Sequence, residues 1–464
     1  MGQIRFLGAT GTVTGSRFFV DTGKNSFLVD CGLFQGPKQL RLRNWDPFPV
    51  PPSEIDKVLL THAHIDHTGY LPRLCRDGFK GQVHCTHATG ELCDILLRDT
   101  AHLQKEDADW ANKKGFTKHR PAKPLFTAKD VEKTMARFEP IHYGQEYFPW
   151  ENLRVKFKDS GHLLGSAFIE IKSMATGQPR KILFSGDLGR ASRPILRDPV
   201  QIYNVDYLIL ESTYGERRHK DVDGLAELTR VIVESRERGG VLVIPAFSVG
   251  RTQTLLYVLR QLEDEGKIPD LNVYVDSPMA INATAVFENR IHDLDLNSRI
   301  AALDGKKLFR PKNVIFCKET RQSKKINEVN SNAIIISASG MATGGRILHH
   351  LRQRLPEKRN TILLIGYQAH GTRGRQIFEG AETVKIHGRE VPINCHVEMV
   401  DAFSGHADYV EIMAWLMGFN RPPEKTFIVH GEPEASASLA EKIRLQFGWD
   451  VVVPGIEDTY DLTL

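Results

Sequence analysis

Five apolar runs in this chain end in the same way. Lys57-Val58-Leu59-Leu60 runs into Thr61-His62-Ala63-His64-Ile65-Asp66-His67, and Val155-Lys156-Phe157 leads to Ser160-Gly161-His162. Ile182-Leu183-Phe184 leads to Asp187, Tyr207-Leu208-Ile209-Leu210 to Glu211, and Thr426-Phe427-Ile428-Val429 to His430. Short apolar runs of this kind read as buried strands. Taken singly, each ending is a weak signal. Taken together, they describe strands that each deliver an imidazole or carboxylate at a C-terminal edge, where α/β folds collect ligands and catalytic groups.

The stretch from His62 to His67 carries the strongest signal. Three imidazoles and a carboxylate within six residues suit zinc, a borderline ion that takes nitrogen and oxygen ligands. His62 and His64 alternate with Ala63, so both side chains can point one way, and Asp66 and His67 can then face a second ion. The bland alternative is a solvated loop rich in histidine. Asp30 closes another apolar run, Phe27-Leu28-Val29, beside Gly32. It could orient a metal-bound imidazole, or it could be a simple turn residue.

At 464 residues the chain is too long for one ordinary core, and two domains are expected. A 41% hydrophobic and 25% charged composition is that of a soluble globular protein. No apolar run approaches the ~20 residues of a membrane helix, and the N-terminus lacks the regions of a signal peptide. Six scattered cysteines without a C-x-x-C point to reduced thiols and a cytoplasmic location. The net charge of +4 permits a polyanionic partner. Local clusters such as Lys113-Lys114, Lys118-His119-Arg120 and Arg217-Arg218-His219-Lys220 are each read more simply as solvated faces.

The opening, 4–32, reads as antiparallel hairpins. Helices are expected over 90–107 and 131–138, with a polar, exposed excursion at 108–126. The middle of the chain alternates apolar strands (241–244, 271–275, 313–316, 333–336, 361–365) with helical stretches, which implies a parallel sheet. The expected organisation is therefore a first domain in two parts, 1–213 and 389–464, with an inserted domain at 214–388.

His62-x-His64-x-Asp66-His67, followed by His162, Asp187 and His430, resembles the metallo-β-lactamase superfamily in ligand order. Glu211 in LESTYG, His406 in FSGHAD and His430 in VHGE resemble the motifs of its β-CASP branch, which processes nucleic acids. The resemblance implies an αββα metallo-β-lactamase sandwich with an inserted parallel α/β β-CASP domain. It also implies two Zn2+ ions, one held by His62, His64 and His162, the other by Asp66, His67 and His430, with Asp187 bridging. The implied activity is a ribonuclease hydrolysing single-stranded RNA by a two-metal hydroxide mechanism, endonucleolytic, leaving 5′-phosphate and 3′-hydroxyl ends. His406 would be the general acid and Glu211 its partner, with Asp66 and Asp187 also at the catalytic centre. A surface residue for His406 and a structural ion pair for Glu211 are the plain alternatives. A histidine at position 430 resembles the RNA-acting rather than the DNA-acting members. His370 departs from the less basic residue expected there.

The inserted domain would grip substrate. Ser337, Ser339 and Gly340 lie at a strand-to-helix junction whose amides and hydroxyls can cradle phosphate. His370, Thr372 and Arg373 repeat that logic, and Arg251 in FSVGRTQ is a further candidate; ordinary loop packing is the alternative for each. A 5′-exoribonuclease of the same branch and an ester or thioester hydrolase of the superfamily are the competing activities. RNA is the expected partner, no membrane is involved, and a homodimer stays open.

Overall fold

Alternation of buried and more exposed residues shapes the first strands. Ile4, Phe6, Phe18, Val20, Phe27 and Val29 point into one core from the strands Gly2–Phe6, Phe18–Asp21 and Ser26–Val29. These pair antiparallel, as expected for the opening. The computed structural model describes residues 2–115, 120–175, 177–219, 223–366, 368 and 371–464. Its backbone divides into two units, one of residues 1–191, 198–218 and 406–464, the other of 192–197 and 219–405.

The first unit is built on two seven-stranded sheets. One runs Thr459–Leu462, Gly2–Phe6, Phe18–Asp21, Ser26–Val29, Lys57–Leu59, Gln82–Thr86, Phe138–Ile141. The other runs Val451–Val452, Lys425–Val429, Tyr207–Glu211, Arg180–Phe184, Ala167–Ser173, Leu153–Asp159, Tyr147–Trp150. Ile4, Phe6, Val29 and Leu59 from the first meet Phe157, Ile169, Phe184 and Phe427 from the second in one buried cluster. Behind the second sheet, Leu183, Leu208 and Ile428 pack on Ile412 and Leu416 of helix Tyr409–Leu416 and Leu439 and Ile443 of helix Pro433–Phe447. Behind the first, helix His87–Lys114 lies on Gln82–Thr86 and Phe138–Ile141, with Ala128–Met135 packed against it. The layers are thus αββα.

Register places the chemistry. Arg180–Phe184, Tyr207–Glu211 and Lys425–Val429 run parallel, with Phe184 beside Ile209 and Glu211 beside Val429. Their C-terminal ends share an edge, which carries Asp187, Glu211 and His430. On the other sheet the parallel strands Ser26–Val29 and Lys57–Leu59 pair Val29 with Leu59, which brings Asp30 beside the turn at Thr61.

The second unit contains a six-stranded sheet, parallel throughout, in the order Val314–Phe316, Asn272–Val275, Ala333–Ser337, Val241–Pro245, Thr361–Ile365, His396–Val400. The sixth strand, His396–Val400, lies outside the expected set. A hairpin, Thr383–Ile386 and Arg389–Pro392, stands beside this sheet.

Two local expectations fail. Residues 108–114 continue the helix that starts at Thr86, whose side chain accepts the Thr89 N–H as its cap, and Gly115 ends it at φ 68°. Polar composition misled here, because Ala, Lys, Glu and Gln are strong helix formers on a solvated face. Leu125 and Phe126, within the supposed exposed excursion, are buried. The helix expected over 131–138 is Ala128–Met135, opened by a Thr127–Asp130 capping box, and Phe138 begins a strand instead. Lys118, His119 and Lys220 of the basic clusters lie outside the described residues.

Candidate metal centre and active site

Seven side chains from four strand ends converge in the first unit. His62 Nε2 is 3.0 Å from His64 Nδ1 and 3.3 Å from Asp187 Oδ2. His162 Nε2 is 3.3 Å from His64 Nδ1 and 3.4 Å from the same Asp187 Oδ2. A tetrahedral zinc with ligand bonds of about 2.0–2.1 Å separates its ligand atoms by about 3.3 Å, so these four donors have the spacing of a zinc shell. The second set is slightly wider. His67 Nε2 lies 3.2 Å from His430 Nε2, 3.4 Å from Asp187 Oδ1 and 3.8 Å from Asp66 Oδ2, and His430 Nε2 lies 3.5 Å from Asp66 Oδ2. Asp187 turns one oxygen to each set. Its Oδ1 is buried and accepts no hydrogen bond among the described residues, an orphaned acceptor that a cation would satisfy. The donor chemistry therefore fits metal binding.

Electrostatics agree. Burial, then the neighbouring His67, pushes His62 down to about 3, and burial also lowers His64 and His162. These imidazoles are neutral, as ligands must be. Burial works to raise Asp187, but His430, His67 and His62 outweigh it and hold the carboxylate well below its usual range. Asp66 is likewise lowered against its burial, by His430 and His67. His67 is raised despite burial by Asp187 and Asp30, so a metal ion there competes with a proton.

Neighbouring residues set the tautomers. Asp30, fully buried, accepts the Thr61 N–H at 2.8 Å, the Thr61 hydroxyl at 2.7 Å and His67 Nδ1–H at 2.7 Å. His67 Nε2 is thereby left to face the metal set. Because the Thr61 hydroxyl gives its hydrogen to Asp30, its oxygen can only accept from His62 Nδ1, 3.1 Å away. Thr213 repeats the device. Its hydroxyl donates to Glu211 Oε2, and its oxygen lies 3.1 Å from His430 Nδ1. Sequence reasoning missed both threonines; their positions immediately before His62 and two residues after Glu211 were the available signal.

His406 stands beside the centre. Its Nδ1 is 3.2 Å from Glu211 Oε2 and 3.9 Å from Asp187 Oδ2, and its ring lies 4.6 Å from that of His162. Burial alone would lower this imidazole, but Glu211 and Asp187 raise it to about 9. Glu211, buried, also accepts the Leu188 N–H. The Leu188 carbonyl accepts the Ala407 N–H, and Gly189 bridges to His406, so one backbone segment clamps both partners.

The substrate candidates lie in the second unit, and most are engaged in local structure. Ser337 donates to the Asp276 carbonyl. Ser339 accepts the Thr343 N–H within its own loop. Gly340 has no room for a Cβ, which would meet Phe247 and its backbone at 2.8–3.0 Å. Thr372 caps the helix Arg373–Phe378. Arg373 donates to the carbonyls of Lys385, Ala342 and Thr343. Arg251 opens the helix Arg251–Asp264 beside Gly366. His370 lies outside the described residues.

Comparison with known proteins gives three family matches. Residues 11–145 match the metallo-beta-lactamase superfamily, residues 252–377 the Beta-Casp domain, and residues 390–454 the Zn-dependent metallo-hydrolase RNA specificity domain. The chain is 36% identical to ribonuclease TTHA0252 of Thermus thermophilus, over 95% of each chain. It is 32% identical to an RNase J-like protein of Methanocaldococcus jannaschii, over 96% of each. It is 31% identical to the transcription termination factor FttA of the same organism, over 97% of this chain and 70% of that one. A solved protein of unknown function from Enterococcus faecalis V583 shares the fold, with a TM-score of 0.58 at 11% identity over 99% of this chain and 100% of that one.

Proposed function

The chain belongs to the β-CASP branch of the metallo-β-lactamase superfamily, and from that premise we propose that it is a zinc-dependent ribonuclease. It hydrolyses phosphodiester bonds of single-stranded RNA endonucleolytically. The observation that carries this reading is Asp187, which turns one oxygen to each of two donor sets while His406 stands 3.9 Å from it. In this reading His62, His64 and His162 hold one zinc, Asp66, His67 and His430 hold the other, and Asp187 is shared. Two such ions, when bound, supply Lewis acidity that activates water near neutral pH and offsets charge on the phosphoryl oxygens.

The residues of the chain supply the rest. Breaking the P–O3′ bond leaves an alkoxide that needs a proton. His406 is held protonated by Glu211 and Asp187. Its Nδ1–H points at Glu211, so the proton for the leaving oxygen comes from Nε2. Water adds to phosphorus and the products are a 5′-phosphate and a 3′-hydroxyl. Thr61, Thr213 and Asp30 hold the imidazoles in the tautomers that this arrangement requires.

Purified protein with zinc, presented with 5′- and 3′-labelled single-stranded RNA, tests the reading. Internal fragments from both labels support endonucleolytic cutting, whereas mononucleotides released from the 5′ end would make it a 5′-exoribonuclease. A panel of esters and thioesters turned over faster than RNA would overturn the substrate class. The His406→Ala protein is expected to keep its zinc and lose cutting; full activity would remove His406 as the acid.

A further inference from the structure

The tip of the hairpin in the second unit departs from what its backbone favours. Ile386 pairs with Arg389, so His387 and Gly388 form a two-residue turn, with φ of 48° and 80°. Such turns, with positive φ at both central residues, favour Asn-Gly or Gly-Gly. Histidine bears the cost of the left-handed conformation and gains little burial, because its side chain is largely exposed. Its ring lies 4.7 Å from that of His349, tilted by 37°. His349 and Arg352, three residues apart on the helix Ile347–Arg354, share one face. Arg373 lies beneath the hairpin, its guanidinium spent on the carbonyls of Lys385, Ala342 and Thr343, and it forms no ion pair with a carboxylate among the described residues.

The electrostatic balance at this tip is one-sided. His349, Arg352 and His387 are exposed, and none enters an ion pair among the described residues. The nearby carboxylates have other work: Glu379 accepts from Arg375, and Glu390 accepts the Thr383 hydroxyl and stands opposite Lys385 across the hairpin. Desolvation of the partly covered ring lowers His387 most, and the neighbouring His349, Arg352 and Arg373 lower it further; this smaller contribution is the repulsion expected of cations gathered without a counter-ion. A backbone phosphate would relieve it, and exposed imidazole faces suit stacking by unpaired bases.

We propose that His349, Arg352 and His387, backed by Arg373, form a binding ledge for single-stranded RNA, with Arg352 taking a backbone phosphate and the two imidazoles taking a base and its sugar-phosphate. The proposal rests on the reading of the chain as a ribonuclease and adds a second point of substrate grip, carried wholly by the inserted unit.

The test measures affinity for a long, labelled single-stranded RNA by fluorescence anisotropy over a series of salt concentrations, in the full chain with its zinc content checked. Arg352→Gln is expected to lower the slope of log binding constant against log salt by about 0.7, the loss of one phosphate contact on a single strand. His387→Asn, which suits the turn, combined with His349→Gln, is expected to weaken binding several-fold with little change of slope. Lys358→Gln removes another exposed cation of the same unit that has no ion-pair partner among the described residues and is expected to keep the parental slope. An unchanged slope in Arg352→Gln, or an equal drop in Lys358→Gln, overturns the ledge while leaving the nuclease reading intact. A parent that neither binds nor cuts RNA overturns both.

Discussion

Asp30→Asn changes one buried atom and should disarm half of the metal centre. The carboxylate accepts three hydrogen bonds, from the Thr61 amide, the Thr61 hydroxyl and His67 Nδ1. Asparagine tolerates the left-handed backbone at this position, where φ is 58°. Its amide keeps only one acceptor oxygen. If that oxygen stays with the Thr61 amide, the NH2 group faces two donors that share Oδ2. Each buried donor left without a partner costs about 1–3 kcal/mol. The ring of His67 can escape by moving its proton from Nδ1 to Nε2, but Nε2 is the atom 3.2 Å from His430 and 3.4 Å from Asp187. Either way the metal loses. The expected fall in zinc affinity is about 10–100-fold, or roughly 1.4–2.8 kcal/mol, the usual result of removing a carboxylate behind a liganding histidine. Chelator competition monitored by metal analysis, on protein shown by circular dichroism to be folded, measures it. A folded Asp30→Asn chain that holds both metal equivalents with parental affinity would refute the argument.

Thr213→Val should weaken metal binding at the set containing His430 without unfolding the chain, and Thr213→Ser should restore it, read as zinc stoichiometry rather than activity. Gly32→Ala should act on Asp66, because a Cβ at position 32 would stand 1.5 Å from the Asp66 carbonyl oxygen; loss of one metal equivalent or of folding is expected, and a native chain with full metal would contradict the close approach. Stability should also fall in acid through His84, which burial lowers from 6.5 to about 4. The unfolded chain binds this proton more readily, so stability is full above about pH 6.5 and declines as pH drops toward about 4, by up to about 3 kcal/mol. Thermal melts of parent and His84→Gln over that window should converge or cross, and parallel curves would exclude His84 as the source.

The strands that end in the site residues, and the residues at their ends, were legible because buried strands are short, apolar and bounded by polar turns; Phe138–Ile141 and His396–Val400, with their partly exposed positions, were not. Which ends meet was not. Glu211 and His430 share an edge only because Tyr207–Glu211 pairs with Lys425–Val429 across the whole inserted unit, and a pairing between segments so distant leaves no local trace. Tertiary use also decides roles that composition cannot. Ser337 and Arg373 read as phosphate-binding types, yet their donors are directed to backbone carbonyls that hold the loops of the second unit. Conversely, Thr61 and Thr213 read as unremarkable polar residues, and only the position of their hydroxyls between a carboxylate and an imidazole reveals what they do.

The centre also explains why the fold needs so many separate contributors. Two neutral imidazole nitrogens 3.0 Å apart, with a carboxylate oxygen 3.3 Å from one of them, cannot all satisfy one another, because too few protons lie between them. A single flexible loop would relax such an arrangement by moving apart. Here each donor is anchored to the end of a strand whose own hydrogen bonds and core packing hold it in place: Asp187 behind Phe184, His430 behind Val429, His62 behind Leu59. The sandwich therefore sets the donor separation and the cation relieves it. Metal removal should accordingly lower the melting temperature of the chain less than it lowers activity, since the positions exist before the ion arrives. A chain that lost its native circular dichroism on chelation would show instead that the ion organises the strands.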